Sequence, residues 1–224
     1  MSDVFDEISD DLRREKLNQF WKENGSWIIG GVITAILLTA GLSFWQQLQY
    51  KRNAAATAEL TQLVTDISGD KEQVKKADLS KLEHFSGAAD KNHAAMARFM
   101  MAYTHIERGE KEQAVELFET IAKTSGIDKT YRDLAKVLSI TQRLNDGDAE
   151  KLKKELSALT DGKNTWRYTA LELEALLDAR ENHMQEAVDA LTKITADPSA
   201  PEAARNRAMS LRELYTAEKV DPKT

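Results

Sequence analysis

Side chains that could catalyse a reaction or bind a metal are few in this chain, and they form no recognised motif. Cysteine is absent, which excludes disulfides, thiolate metal sites and cysteine nucleophiles. The histidines, at positions 84, 93, 105 and 183, are not at a spacing typical of metal ligands. Gly30-Gly31 lacks the following GK[ST] of a phosphate loop, and neither H-E-x-x-H nor G-x-S-x-G occurs. We therefore expect a protein that is not an enzyme, without cofactor, metal or small-molecule substrate.

An apolar stripe is the candidate for a protein-binding surface. Met96, Phe99, Tyr103 and Ile106 recur at spacings of three, four and three, so a helix would place them on one face. Such a face can form the floor of a groove for an extended or helical segment of another protein, with methionine adding adaptability. The alternative is a core stripe, covered by a neighbouring helix near Leu79–Phe85.

The composition indicates which elements would position this stripe. Of 224 residues, 7% are aromatic and three are proline, whereas alanine, leucine, glutamate and lysine are abundant. These residues favour helices, and we expect an all-α protein. The net charge of −6 argues against nucleic acid as a partner, because a surface that follows phosphates needs positive charge.

A long uncharged segment predicts a single transmembrane helix. No Asp, Glu, Lys or Arg occurs between Glu23 and Lys51, and Trp27 and Trp45 bound the most apolar part. A helix of that part would be roughly 28 Å long, close to the thickness of a bilayer core. A buried core helix rarely stays uncharged on every face for this length. A cleavable signal peptide has a shorter apolar stretch directly after a small basic start.

The basic residues around this segment predict its orientation. Four basic residues precede it and two, Lys51 and Arg52, follow it. Because basic residues favour the cytoplasmic side, we expect a cytoplasmic N-terminus and a periplasmic C-terminal domain at the bacterial inner membrane. Within the segment, Gly31, Ala35 and Thr39 recur every four residues. Such a stripe permits close contact with a partner helix, although small residues are common in membrane helices in any case.

Glycines and an internal repeat predict helical hairpins after the membrane segment. Glycines at 69, 87, 109, 126, 147 and 162 fall between helix-patterned stretches, where glycine typically ends a helix. The stretch Glu112–Ile121 recurs 73 residues later as Gln185–Ile194. Because 73 is about twice 36 residues, one degenerate unit should lie between the two copies.

The repeat resembles the tetratricopeptide repeat, a helix–turn–helix unit. The residues that carry the resemblance are Ala102, Gly109, Ala114 and Phe118 in the first unit and Ala175, Ala187 and Leu191 in the third. Asn182 replaces the turn glycine of the third unit, and Leu152 stands at a small-residue position of the middle unit. Neighbouring charges such as Lys151–Glu155 are expected to be solvated helix faces.

The order of these parts is similar to that of the YfgM-like family, the ancillary subunits of the SecYEG translocon. The shared features are the opening MSDVFDEISDDLRREKLNQFWKENG, one membrane helix, an Ala-rich continuation at 53–63, and degenerate repeats. The resemblance implies a scaffold or chaperone that binds translocon subunits, periplasmic chaperones and exported clients. We expect the following parts: a cytoplasmic segment 1–23, a transmembrane helix 24–50, a helical linker or first hairpin 51–90, a repeat domain 91–219 and a tail 220–224.

Two other functions fit the same sequence features. A scaffold for cell-envelope assembly or division would share the topology and differ only in its partner. A cytoplasm-facing, membrane-tethered adaptor would need the opposite orientation.

Overall fold

The computed structural model describes residues 47–67, 69 and 71–220, with side chains up to residue 217. Contacts divide the chain into a unit that ends at Ala56 and a unit that begins at Thr57. In the first unit, residues 47–56 are helical and mostly exposed. The second unit carries the repeats.

The described part of the chain contains ten helices and no strand, so the predicted all-α class is confirmed. The helices are α1 (residues 47–67), α2 (Lys71–Lys76), α3 (Ser80–Ala88), α4 (Lys91–Arg108), α5 (Lys111–Lys123), α6 (Lys129–Arg143), α7 (Ala149–Ser157), α8 (Arg167–Arg180), α9 (Met184–Thr195) and α10 (Glu202–Val220). Helices α4 to α9 form three consecutive hairpins, and α10 packs on the last of them.

Aspartates start the first helix of two hairpins and the second helix of the middle one. Asp90 accepts hydrogen bonds from the backbone N–H groups at the start of α4, and Asp128 and Asp148 do the same for α6 and α7. These carboxylates satisfy donors that have no partner within a helix. Gly109 ends α4 with a φ of 77°, in the left-handed region that glycine adopts without strain.

Three neighbouring apolar clusters form the core of the repeats, and each is made by one hairpin and the helix that follows it. The first lies among α4, α5 and α6, the second among α6, α7 and α8, and the third among α8, α9 and α10. The residues that the repeat pattern marks as close contacts, Ala102, Ala114, Ala175 and Ala187, are all fully buried. Each hairpin therefore buries its apolar faces against its sequence neighbours, as in a helical solenoid.

Hydrogen bonds between neighbouring hairpins recur at separations close to one repeat. The backbone N–H of Asp128 donates to the side chain of Asn92 (2.9 Å), and the indole of Trp166 donates to the carbonyl of Thr130 (3.2 Å). In both cases the two residues are 36 positions apart. At the other end of the hairpins, Arg180 donates to the carbonyls of Leu144 and Gly147 in the preceding turn.

Most of the predicted helix breaks are observed. Gly109, Gly126, Gly147 and Gly162 lie between helices, and Gly69 lies between α1 and α2. The prediction for Gly87 is wrong, because it lies inside the last turn of α3.

The predicted membrane span Trp27–Trp45, with its stripe of Gly31, Ala35 and Thr39, lies outside the described residues. Among residues 47–67 and 71–220, no helix is long and apolar enough to cross a bilayer.

Candidate protein-binding groove

Helices α1 and α4 border an open groove with a volume of about 460 Å³. We call it the α1–α4 groove. The groove is lined by Thr57, Leu60, Thr61, Val64 and Thr65 of α1 and by Met96, Phe99, Met100 and Tyr103 of α4. This lining contains no Asp, Glu, Lys, Arg or His, although 30% of the chain is charged. The groove therefore presents an uncharged surface to any occupant.

The three threonines of the groove already use their hydroxyl groups within the protein. Thr61 and Thr65 donate to the carbonyls one turn earlier on α1, at 2.7 and 2.8 Å. The hydroxyl of Thr57 is hydrogen-bonded to Nε2 of His93 at 2.9 Å. Because these hydroxyls have partners within the protein, the α1 side of the groove offers few further hydrogen-bonding groups. Binding on that side would therefore depend on the apolar surface and the shape of an occupant.

His93 links the two helices that border the groove. Its Nδ1 contacts the carboxylate of Asp90, the N-cap of α4, and its Nε2 faces Thr57 of α1. A carboxylate accepts only, so Nδ1 is the donor to Asp90. Partial burial would raise the pKa of Asp90, but the hydrogen bonds from His93 and Asn92 outweigh it and hold that pKa below its usual value.

The predicted stripe on α4 is divided between this groove and the core. Met96 and Tyr103 are 37% and 45% exposed. Phe99 also lines the groove, and its ring packs on Phe118 with 6.0 Å between the ring centroids. Ile106 packs against the α4–α6 cluster. Met96 and Tyr103 therefore lie at the open surface, and Ile106 lies in the core. Phe99 contacts both the groove and the core.

The sequence does not predict the α1 side of the groove, because residues 53–63 fit an Ala-rich continuation of the membrane helix. A signal was present, since Thr57, Thr61 and Thr65 are spaced by four and Leu60 and Val64 by four. This spacing places both sets along one side of a helix. What the sequence could not supply was the neighbour of that side, because α1 and α4 are separated by two short helices.

The expectation of solvated charges at Lys151–Glu155 is wrong for Lys153. Its ammonium donates to Asp178 of α8 at 3.0 Å, and the Asp178 side chain is only 5% exposed. Hydrogen bonds to Glu150 and Asp178 raise the pKa of Lys153. Lys153 thus neutralises a buried carboxylate between the middle hairpin and the last one.

A second histidine of α4 is paired within its own hairpin. His105, near the end of α4, is hydrogen-bonded to the Glu110 carboxylate at 2.5 Å. Within the described residues, no group of three or more His, Asp or Glu side chains is arranged to hold a metal ion.

Comparison with known proteins places the chain in a family. The family model of the tetratricopeptide repeat-like domain matches residues 18–138, which are 121 of the 224 residues. The chain belongs to the tetratricopeptide repeat-like domain family.

A relative supports the more specific resemblance. Over 74 residues the chain is 32% identical to the "Ancillary SecYEG translocon subunit" of Haemophilus influenzae. These residues are 33% of this chain and 36% of the relative, so the match spans about a third of either protein. Together with the family match, it confirms the resemblance to the YfgM-like family. No solved structure is significantly similar to the chain.

Proposed function

We propose that the protein is a membrane-anchored scaffold of the chaperone type, which associates with the Sec translocon and binds other proteins through its helical repeats. The similarity to a translocon subunit and the membership of a repeat family support this function. The observation that carries it is the α1–α4 groove, an open and uncharged surface on the first repeat hairpin. Apolar grooves between helices are a common binding site for segments of other proteins.

The anchor is the uncharged segment Trp27–Trp45, and the repeats face the periplasm of the bacterial inner membrane. The bias of four basic residues before the segment to two after it supports this orientation. In this arrangement Gly31, Ala35 and Thr39 contact a membrane helix of the translocon. Residues 1–23 lie in the cytoplasm, 24–50 cross the membrane, 51–90 link it to the repeat domain at 91–219, and 220–224 form a tail.

On the groove, Met96, Phe99 and Tyr103 contact the bound segment, while Ile106 supports the helix that carries them. Partners of this surface are translocon subunits, periplasmic chaperones and newly exported proteins. No cofactor or small molecule takes part in this function.

The test of the groove is photocrosslinking in native membranes. A photoreactive amino acid replaces Tyr103, which is exposed at the groove, or Gln113, which is exposed on α5. We expect crosslinks to translocon subunits, chaperones or exported chains from position 103 and not from position 113. Equal crosslinking from both positions would contradict the groove as the binding surface.

A double substitution measures how much the groove contributes. Met96→Ser with Tyr103→Ser removes two exposed apolar side chains, so we expect weaker binding of unfolded polypeptide with little change in the thermal melt. The matched control is Met209→Ser with Leu214→Ser, since these α10 side chains are 44% and 57% exposed. Loss of binding in the control pair to the same extent would mean that any exposed apolar residue suffices.

The proposed orientation is tested separately. Protease added to intact spheroplasts should digest residues 51–224. Full protection of this part would favour the cytoplasm-facing adaptor. If the part is digested but crosslinks lead only to envelope-assembly or division proteins, the scaffold for envelope assembly replaces the translocon role.

A further inference from the structure

A second cavity lies between α5 and α7, with α6 also contributing to its lining, and has a volume of about 420 Å³. We call it the α5–α7 cleft. In contrast to the α1–α4 groove, it is strongly charged. Its charged residues are Glu119, Lys123, Lys136, Arg143, Lys154 and Glu155. Four cations and two carboxylates leave an excess of two positive charges, on a protein whose net charge is −6.

The two carboxylates of the cleft are already neutralised. Glu119 accepts from Lys123 at 2.6 Å, and Glu155 accepts from Arg143 at 2.7 Å. Arg143 is fixed further by a hydrogen bond to the hydroxyl of the buried Ser139 at 3.1 Å. Lys123 and Arg143 thus pair with the carboxylates of the cleft, and Lys136 and Lys154 are its remaining cations.

Lys136 and Lys154 have no carboxylate within ion-pairing distance among the described residues. Two other lysines of the same helices do have one. Lys153 pairs with Glu150 and Asp178, and Lys129, at the start of α6, pairs with Asp133. Lys136 and Lys154 are thus the two cations of the cleft lining that carry its excess charge.

We propose that the α5–α7 cleft binds an acidic segment of a partner protein, whose carboxylates pair with Lys136 and Lys154. Ala122 and Ala158 provide small apolar surface in the same lining, where an aliphatic side chain of the segment packs beside the lysine stems. A recess between two helices fits a chain segment better than the flat surface of a membrane. The acidic character of the whole chain disfavours nucleic acid. This site is separate from the α1–α4 groove and does not depend on its function.

Fluorescence anisotropy with the full-length chain in a nonionic detergent tests this proposal. The probe is a short labelled peptide in which glutamate alternates with leucine, and its neutral counterpart carries glutamine instead. We expect the acidic peptide to bind and the neutral one not to bind, with weaker binding as salt increases. Lys136→Gln with Lys154→Gln should weaken binding by roughly tenfold, because two charge-assisted contacts are lost.

The control removes the same charge elsewhere. Lys76→Gln with Lys193→Gln alters exposed lysines of α2 and α9, and binding should stay within about twofold of the unchanged chain because long-range charge effects are screened by salt. Lys154→Glu, at an exposed position, should weaken binding at least as much as the glutamine pair without unfolding the protein. Equal effects of the two pairs would overturn the proposal. Competition by inorganic phosphate as strong as by the peptide, or binding to phosphatidylglycerol vesicles alone, would also overturn it.

Discussion

Hairpins α4–α5 and α8–α9 are equivalent units of the repeat, 73 residues apart in sequence, and their two helices pack in a similar way. Both bury an alanine on the first helix and an alanine on the second, Ala102 with Ala114 and Ala175 with Ala187. Their larger core residues differ in type, since Phe118 in one hairpin corresponds to Leu191 in the other. The small positions are therefore retained where helices approach closely, while the large positions accept any apolar side chain of similar reach.

The turns of the two hairpins share a backbone conformation although their residue types differ. Gly109 and Asn182 occupy equivalent positions and both have left-handed backbones, with φ of 77° and 64°. In each turn the backbone N–H of the next residue donates to a backbone carbonyl of the preceding helix. Glu110 donates to His105 and His183 donates to Asp178, both at 2.8 Å. The conformation is shared although the glycine is not, because asparagine also tolerates this region.

The hairpins differ most in their charges. Asp178 on α8 is buried and paired with Lys153 of the middle hairpin. The equivalent residue of α4 is His105, which pairs with Glu110 of its own hairpin. The third hairpin is thus joined to its neighbour by a buried ion pair, and the first is not.

The largest effect is expected from breaking this buried ion pair. Lys153→Met would leave the Asp178 carboxylate buried without its cation, which should lower the free energy of unfolding by about 2–4 kcal/mol. Chemical denaturation measures the loss. The double variant Lys153→Met with Asp178→Leu removes both charges and should recover much of the stability. No recovery in the double variant would indicate that Lys153 acts through packing instead of charge.

Overpacking of the two matched alanines should have the next largest effect. Ala114→Leu and Ala187→Leu each add a large side chain at a fully buried position, and we expect a loss of about 1–3 kcal/mol for each. Lys193→Leu, on the exposed side of α9, is the control and should change the melting temperature little. If all three variants melt alike, the equivalence of the two hairpins is wrong.

The turns should respond more weakly and in opposite directions. Gly109→Ala places a Cβ on a left-handed backbone, with open space around it, so the conformation alone should cost about 1 kcal/mol. Gly109→Asn should cost less than Gly109→Ala, since the third hairpin uses asparagine at this turn. Asn182→Gly should leave stability equal or slightly higher. Thermal melts of the three variants measure the order, and a larger loss for Gly109→Asn than for Gly109→Ala would contradict the shared conformation.

A similarly small effect is expected at the start of the first helices. Asp90 caps α4, whereas Trp166, the N-cap residue of α8, makes no capping hydrogen bond with its side chain. The lowered pKa of Asp90 means that its charge stabilises the fold above the ordinary aspartate pKa of about 4 and that this stability is lost as the pH falls through the lower, folded-state value. Asp90→Asn keeps a capping side chain and should remove this pH dependence, while Asp90→Ala should cost about 1 kcal/mol. Denaturation at several acidic pH values distinguishes them, and an unchanged pH profile for Asp90→Asn would contradict the role of the charge.

The sequence predicts features within one helix or turn better than it predicts which distant segments pack side by side. Alanine and glycine positions of the repeat were predictable, because close helix contacts and left-handed turns restrict the residues that fit. The side of Met96, Phe99, Tyr103 and Ile106 was also predictable, but its division between groove and core was not. That division depends on α1, and no spacing within α4 indicates which helix packs beside it. Lys153 was misread for the same reason, because its partner Asp178 is 25 residues away in another hairpin.

The recurring hydrogen bonds between adjacent hairpins have a consequence for synthesis. The bonds from Asp128 to Asn92 and from Trp166 to Thr130 each connect a hairpin only to the one made just before it. A chain that emerges N-terminus first can therefore complete and lock each hairpin without waiting for distant segments. The apolar face of a new hairpin stays uncovered until the next helix packs on it, and for the α8–α9 hairpin that helix is α10.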